Sequence, residues 1–189
     1  KFLLSDPDPK IREQGIDALK VSLEDAKAYG ADTVLLVPGR VTESVSYDVC
    51  WERTVEEIKK AGGEAAANYD SVATAKGGEN IIKAAVDAFG SADILVNNAG
   101  IVRDHSILKL TEEEWDIVLA VHLKGAYNVT KPAMAVMRER NYGRVIFTSS
   151  GVGLYGNFGQ ANYAAAKMGL VGLMNTLVLE SAKHNIKLN

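Results

Sequence analysis

The chain has 189 residues, a formal net charge of −3, 47% apolar and 24% charged residues, and one cysteine. That is the balance of a soluble globular protein with enough chain for a real core. The slightly negative charge argues against a nucleic-acid or anionic-membrane partner, either of which would favour a basic face, no apolar run approaches the ~20 residues that span a bilayer, and no basic-then-apolar leader opens the chain, so secretion is not expected. Cys50 can form no internal disulfide, which fits a reducing cytoplasm, and is expected to be a passive half-buried thiol. The absence of an initial methionine, and an end at Ile186-Lys187-Leu188-Asn189 that reads as a strand just beginning, lead us to expect an incomplete chain.

In chain order, Asp8-Pro9 reads as a helix cap and first turn, followed by Ile16, Leu19, Leu23 and Ala26 at helical spacing and by Gly30 as a stop. Thr33–Val37 is expected as a short buried strand ended by Pro38-Gly39. A helix follows from about Tyr47 to Ala61, then a strand over Glu64–Tyr69, a helix from about Ala75 to Phe89 and a strand over Asp93–Asn97. Thr111 and Glu114 form a capping box. It opens a long helix with the stripe Trp115, Val118, His122, Ala126, Val129, Ala133 and Met137. Arg144–Ser149 reads as a strand, and a helix from about Gln160 to Lys183 follows a glycine-rich loop.

Alternating strands and helices specify a parallel sheet with helices on both faces, a Rossmann-like α/β three-layer sandwich. Ligands of such sheets bind beyond the carboxyl ends of the strands. Pro38-Gly39, Asp70-Ser71, Asn97-Asn98-Ala99-Gly100 and Ser149-Ser150-Gly151 stand there.

Tyr163 and Lys167, four apart on a helix, project from one face. A free phenol has a pKa of ~10 and is a poor base at neutral pH; an ammonium beside it stabilises the phenolate. Ser150, thirteen residues earlier at a strand end, can return to the same substrate oxygen. Hydroxyl, phenol and lysine around one oxygen suit proton transfer to or from a carbinol, and the accompanying hydride calls for a nicotinamide. Each part alone has a bland reading: a surface Tyr-x-x-x-Lys pair, a serine turn, an Asn-Asn-Ala-Gly turn. The ordered set is what carries weight.

On that set, the stretch from about Thr54 to Asn189 resembles a short-chain dehydrogenase/reductase. Asn97-Asn98-Ala99-Gly100 matches the motif ending that family's fourth strand, and Ser150, Tyr163 and Lys167 match its catalytic residues. Ala67–Val72, Trp115–Val118 and Tyr155–Tyr163 further resemble the (3R)-hydroxyacyl-CoA dehydrogenase domain of peroxisomal multifunctional enzymes of type 2, a branch that uses NAD. The resemblance implies Asp70 and Ser71 near the adenine, Asn97, Ala99 and Gly100 along the cofactor, and Tyr163 and Lys167 at its nicotinamide end. It also implies a homodimer through helices about 112–139 and 160–183, and a peroxisomal location in a eukaryote. His122 stands where most of the family has an asparagine of the proton relay. The type 2 branch resembles this chain there, so a relay role and a satisfied core histidine both stay open.

Two features depart from the family. Gly151-Val152-Gly153-Leu154-Tyr155-Gly156 satisfies G-x-G-x-x-G, but it leads into the Ser–Tyr loop and no acidic strand end follows, so it is expected to be a substrate-side loop. The family's own Thr-Gly-x-x-x-Gly-x-Gly fingerprint is missing from residues 1–60, where Gly15, Gly30 and Gly39 stand singly, and Val37-Pro38-Gly39-Arg40 lacks the acidic residue for the adenosine ribose. Residues 1–53 instead resemble sugar isomerase/epimerases of the xylose-isomerase-like TIM-barrel family, through Asp6-Pro7-Asp8-Pro9, Ala31–Gly39, Tyr47 and Trp51-Glu52-Arg53.

The join is expected in the helix around Thr54–Ile58, with residues 1–53 and 54–189 packed as one domain. Thr33–Val37 is expected between Glu64–Tyr69 and Asp93–Asn97, with 145–149 beyond. Three functions stand: an NAD- or NADP-dependent oxidoreductase acting on a small-molecule secondary alcohol, a 3-hydroxyacyl-CoA first among them; a remnant that binds cofactor poorly; and a sugar isomerase. No metal site is expected.

Overall fold

The computed structural model describes residues 4–28, 34–35 and 46–189. The chain divides into two compact units, Lys1–Tyr69 and Asp70–Asn189.

In the first unit, helix α1 (Pro9–Ala28) starts as expected: Asp8 Oδ1 accepts the Lys10 amide at 2.9 Å, with Pro9 in the first turn. Leu19 is buried and Ile16 half-buried, while the side chains of Leu23 and Ala26 lie outside the described ones. Strand β1 (Val34–Leu35) falls within the expected strand; Thr33, Leu36 and Val37, like Gly30 and Pro38-Gly39-Arg40, lie outside the described residues. Helix α2 (Tyr47–Lys60) is capped by Ser46, whose side chain accepts the Val49 amide. It buries Cys50 and Thr54, so the thiol is more enclosed than expected. α1 and α2 are tied by Arg12 Nε donating to the buried Glu57 carboxylate at 3.1 Å, while the Arg12 Nη1 donates to the carbonyls of Asp6 and Pro7.

Glu64–Tyr69 is not a strand: it runs as coil. Ala65-Ala66-Ala67 brings little apolar or β-branched surface to a sheet, and Tyr69 is exposed. The expected placement of Thr33–Val37 beside that segment therefore fails on the Glu64–Tyr69 side.

The second unit holds helix α3 (Ala75–Phe89), strand β2 (Ile94–Asn97), helices α4 (Glu112–Leu119) and α5 (Gly125–Arg140), strand β3 (Gly143–Phe147), helices α6 (Gly151–Tyr155) and α7 (Ala161–Glu180), and strand β4 (Ile186–Leu188). β2, β3 and β4 pair in parallel in chain order, with Leu95 opposite Val145 and Val145 opposite Leu188. Leu95, Val145 and Phe147 are buried on one face, against the helical layer to which α5 and α7 contribute. Ile146 on the other face is 42% exposed. Parallel strands joined by helices make this the Rossmann-like α/β architecture expected.

The ends of these elements follow from particular residues. Thr74 caps α3, and Gly90 closes it in the left-handed region at φ +79°. Thr111 and Glu114 form the expected capping box on α4. The expected single helix from there is interrupted by a π-helical turn over Ala120–Lys124, which carries His122. α7 stops at Glu180, three residues short of the expected end, and turns fill 181–185. The expected loop at Gly151–Gly156 is largely helical. Ser150 caps it by accepting the Val152 amide at 3.2 Å, and Gly156 ends it at φ +76°.

Candidate active site

The carboxyl ends of β2 and β3 lie side by side, the Thr148 amide donating to the Asn97 carbonyl at 3.1 Å. Chain leaving β2 passes through Asn98, Ala99 and Gly100; chain leaving β3 passes through Ser149 into the Ser150 cap of α6. α6 then packs on α7 so closely that a Cβ on Gly153 would lie 3.0 Å from the Met168 amide nitrogen. Ser149 Oγ donates to the Lys167 carbonyl at 2.9 Å, fastening the strand end to the same helix.

Lys167 is 4% exposed. Its Nζ donates to the Thr148 carbonyl and lies 5.5 Å from the centroid of the Tyr163 ring. Burial pushes this ammonium below the ordinary lysine range. Tyr163 is half-buried, and its ring meets that of His122 edge-on, with centroids 5.1 Å apart and planes at 89°.

His122, also 4% exposed, is clasped by one residue: its Nε2 lies 2.7 Å from the Ile101 carbonyl oxygen and 3.1 Å from the Ile101 amide nitrogen. The shorter contact assigns the proton to Nε2, donating to the carbonyl, and leaves Nδ1 a buried acceptor with no hydrogen-bond partner. Burial holds the imidazole below its ordinary range, the Lys167 charge pushing the same way against the Ile101 hydrogen bond. Gly100 is required here, because a Cβ on it would lie 2.3 Å from the His122 ring.

The structure thus brings Tyr163, Lys167, His122 and Gly100 into one cluster. Ser150 caps the helix packed against it; its oxygen accepts from Val152, leaving the hydroxyl proton to donate elsewhere. Asn97 Nδ2 donates to Thr130 Oγ1 at 3.0 Å, which fixes the end of β2 to α5. Ala99 sits half-buried in the loop between. Asp70 and Ser71 sit at the entry to α3: Asp70 Oδ1 accepts from Asn80 Nδ2 at 3.0 Å, and Ser71 Oγ accepts the Ala73 amide. Asn128 Nδ2 ties that entry to α5 by donating to the Val72 carbonyl at 2.8 Å.

Asn162 escaped the sequence pattern although it adjoins Tyr163. It is fully buried, its Nδ2 donates to the carbonyls of Arg103 and Glu114 at 3.1 Å each, and its Oδ1 accepts the Tyr163 amide at 2.8 Å. The only signal available was an amide where the helix stripe would place an apolar residue.

Whether these residues suit a dinucleotide depends on which end is considered. A buried ammonium with further donors, a phenol, and a serine on the helix packed against theirs suit the nicotinamide–ribose end. The pyrophosphate needs an open run of amides at a helix start. The glycine pair opening α3 does not offer one: the Gly77 amide is taken by Thr74 Oγ1 at 3.0 Å, the Gly78 amide by the Thr74 carbonyl, and a Cβ on Gly78 would lie 2.3 Å from the Asn128 carbonyl oxygen. Among the described residues the chain fits half of the group.

A parallel sheet with a tyrosine–lysine pair at its carboxyl edge defines a dehydrogenase of the Rossmann type. Residues 44–189 match the family model for short chain dehydrogenases, and the chain belongs to that family. Residues 2–73 also match the model for xylose isomerase-like TIM barrels, so the two matches overlap across α2. The chain is 52% identical over 168 residues to peroxisomal multifunctional enzyme A of Dictyostelium discoideum, covering 89% of this chain and 37% of that protein. It is 57% identical over 135 residues to the peroxisomal hydratase-dehydrogenase-epimerase of Saccharomyces cerevisiae, covering 71% of this chain and 15% of that one. The structure of full-length peroxisomal multifunctional enzyme type 2 from Drosophila melanogaster superposes with a TM-score of 0.64 at 49% identity, over 73% of this chain and 24% of that one. The chain therefore spans about a third or less of the length of these relatives. Among the described residues, no helix is long and apolar enough to cross a membrane.

Proposed function

We propose that this chain carries the proton-transfer half of an NAD(P)-dependent oxidoreductase acting on the secondary alcohol of a 3-hydroxyacyl-CoA, with a weakened hold on its dinucleotide. The observation that carries the reading is the buried Lys167 ammonium 5.5 Å from the Tyr163 ring at the carboxyl edge of the sheet. Tyr163 accepts the carbinol proton, Ser150 donates to the same oxygen and holds it in place, and Lys167 stabilises the phenolate that takes the proton. When bound, the nicotinamide supplies the acceptor for the hydride leaving the carbinol carbon. Asn97, Ala99 and Gly100 would line its path, and Asp70 and Ser71 would stand towards the adenine. His122, held neutral, presents a bare Nδ1 as an acceptor for a water in the proton relay.

The thioester substrate draws support from the hydratase-dehydrogenase-epimerase similarity and from apolar surface next to Ser150: on α6 and the loop after it, Tyr155 and Phe158 are 89% and 90% exposed. An acyl chain is what such a surface suits. Tyr127 on α5 and Met168, Val178 and Leu179 on α7 also expose apolar surface, which supports a homodimer through these helices. The peroxisomal relatives favour that compartment if the source is eukaryotic.

A second reading rests on one specific feature. Without a glycine cradle the pyrophosphate loses several charge-assisted hydrogen bonds at ~1.5–3 kcal/mol each, enough to leave a remnant with site residues and little affinity. We place the join of the two sequence types within α2, where the family matches overlap. Turnover of a 3-hydroxyacyl-CoA with NAD or NADP, compared with Tyr163→Phe, separates the readings: slow Tyr163-dependent turnover supports the enzyme, and none at saturating cofactor supports the remnant.

A further inference from the structure

Asn162 directs three side-chain hydrogen bonds to the backbone, away from any substrate. Both Nδ2 protons go to backbone carbonyls, Arg103 in the loop after β2 and Glu114 in α4, and Oδ1 takes the amide of Tyr163. It stands in the first turn of α7, where the cap residue Gln160 makes no side-chain capping bond, so it satisfies an amide the helix start leaves open. Two residues before Arg103, Ile101 is clasped by His122, and the His122 ring abuts Tyr163. The path closes on itself: Tyr163 ring to His122, to Ile101, along the backbone to Arg103, to Asn162, and back to the Tyr163 amide.

We propose that Asn162 is a positioning residue that, with His122, holds the Ile101–Arg103 segment in register with Tyr163. Its functional weight rests on the reading of Tyr163 as the proton-transfer group. A side chain serving only to fill space would not need three directed bonds; an alanine or leucine would suffice. With the closed path, the loop continuing from Asn97-Asn98-Ala99-Gly100 cannot shift against Tyr163 without breaking one of these hydrogen bonds.

The test is hydrogen exchange on the full chain, with the His122 Nε2–H, donated to the Ile101 carbonyl, as reporter and the Arg144 amide, bonded to the Asp93 carbonyl, as reference. Asn162→Ala is expected to speed exchange at the His122 Nε2–H by at least about tenfold while leaving Arg144 unchanged, the signature of local rather than global opening. The 15N spectrum of His122 should lose its single Nε2–H tautomer at the same time. Equal acceleration at both groups, or none at the His122 Nε2–H, would overturn the proposal. Should Asn162→Ala not fold, Asn162→Asp keeps the shape but sets a carboxylate against two carbonyls. Protection at the His122 Nε2–H, corrected for intrinsic exchange, should then return as acidification restores a donor, and its failure to do so would count against the proposal. None of these readouts needs turnover, so an inactive chain with a protected His122 Nε2–H sinks the proposed function and leaves this inference standing.

Discussion

Lys167→Met separates function from scaffold most sharply. The wild-type ammonium is 4% exposed, and the Thr148 carbonyl is its hydrogen-bond acceptor. A charge-assisted bond of that kind contributes ~1.5–3 kcal/mol, but burying the ammonium costs a comparable amount. Methionine has nearly the same shape and carries no charge. The two effects offset, so stability at pH 7 should stay within about 1 kcal/mol of wild type, or ~2–4 °C in Tm for a chain of this size. The pH dependence fixes the sign. Because the folded-state pKa of Lys167 is depressed, the unfolded chain binds more protons at alkaline pH. Wild-type stability should therefore rise as pH climbs from that depressed value towards the ordinary lysine pKa. Lys167→Met should lack this rise, so the difference between the two proteins drifts in the wild type's favour across that window. Thermal melts between pH 7 and 10.5 read both quantities. A loss above about 3 kcal/mol at pH 7 would refute the reasoning and make Lys167 a structural strut.

Other perturbations follow from the same contacts. His122, with its pKa lowered mainly by burial, contributes stability that is complete above its unfolded pKa and is lost as pH falls through its folded one; His122→Asn should blunt the decline in urea midpoint between pH 7.5 and 5. Gly78→Ala should cost about 2–3 kcal/mol in urea unfolding, since its Cβ would lie 2.3 Å from a backbone oxygen of α5. Gly172→Ala, with nothing within 4 Å, should gain about 0.5–1 kcal/mol.

The elements legible in the sequence are those whose ends carry chemistry. Asp8, Thr111 and Glu114 announce caps, because each satisfies a helix start through local bonds that spacing reveals. Tyr163 and Lys167 were readable because four residues is one turn. Glu64–Tyr69 misled because its apolar run is Ala65-Ala66-Ala67, which offers too little surface to hold a strand in a sheet. The π-helical turn at His122 left no trace in periodicity, since one widened turn barely rotates the stripe. The Ser150 cap turned an expected loop into a helix because its three glycines do not forbid one when a cap and a neighbouring helix supply the bonds. Asn162 stayed hidden because its partners, Arg103 and Glu114, come from distant parts of the chain.

The central claim is that Tyr163 still moves a proton in a chain whose dinucleotide grip is weakened. It is tested most directly by the rate of NADH or NADPH formation from a 3-hydroxyacyl-CoA, followed as cofactor is raised into the millimolar range, for wild type and Tyr163→Phe side by side. The account predicts slow turnover that climbs with cofactor without early saturation and falls to background in Tyr163→Phe. Equal rates in the two proteins, or no product from wild type at any cofactor concentration, would contradict it.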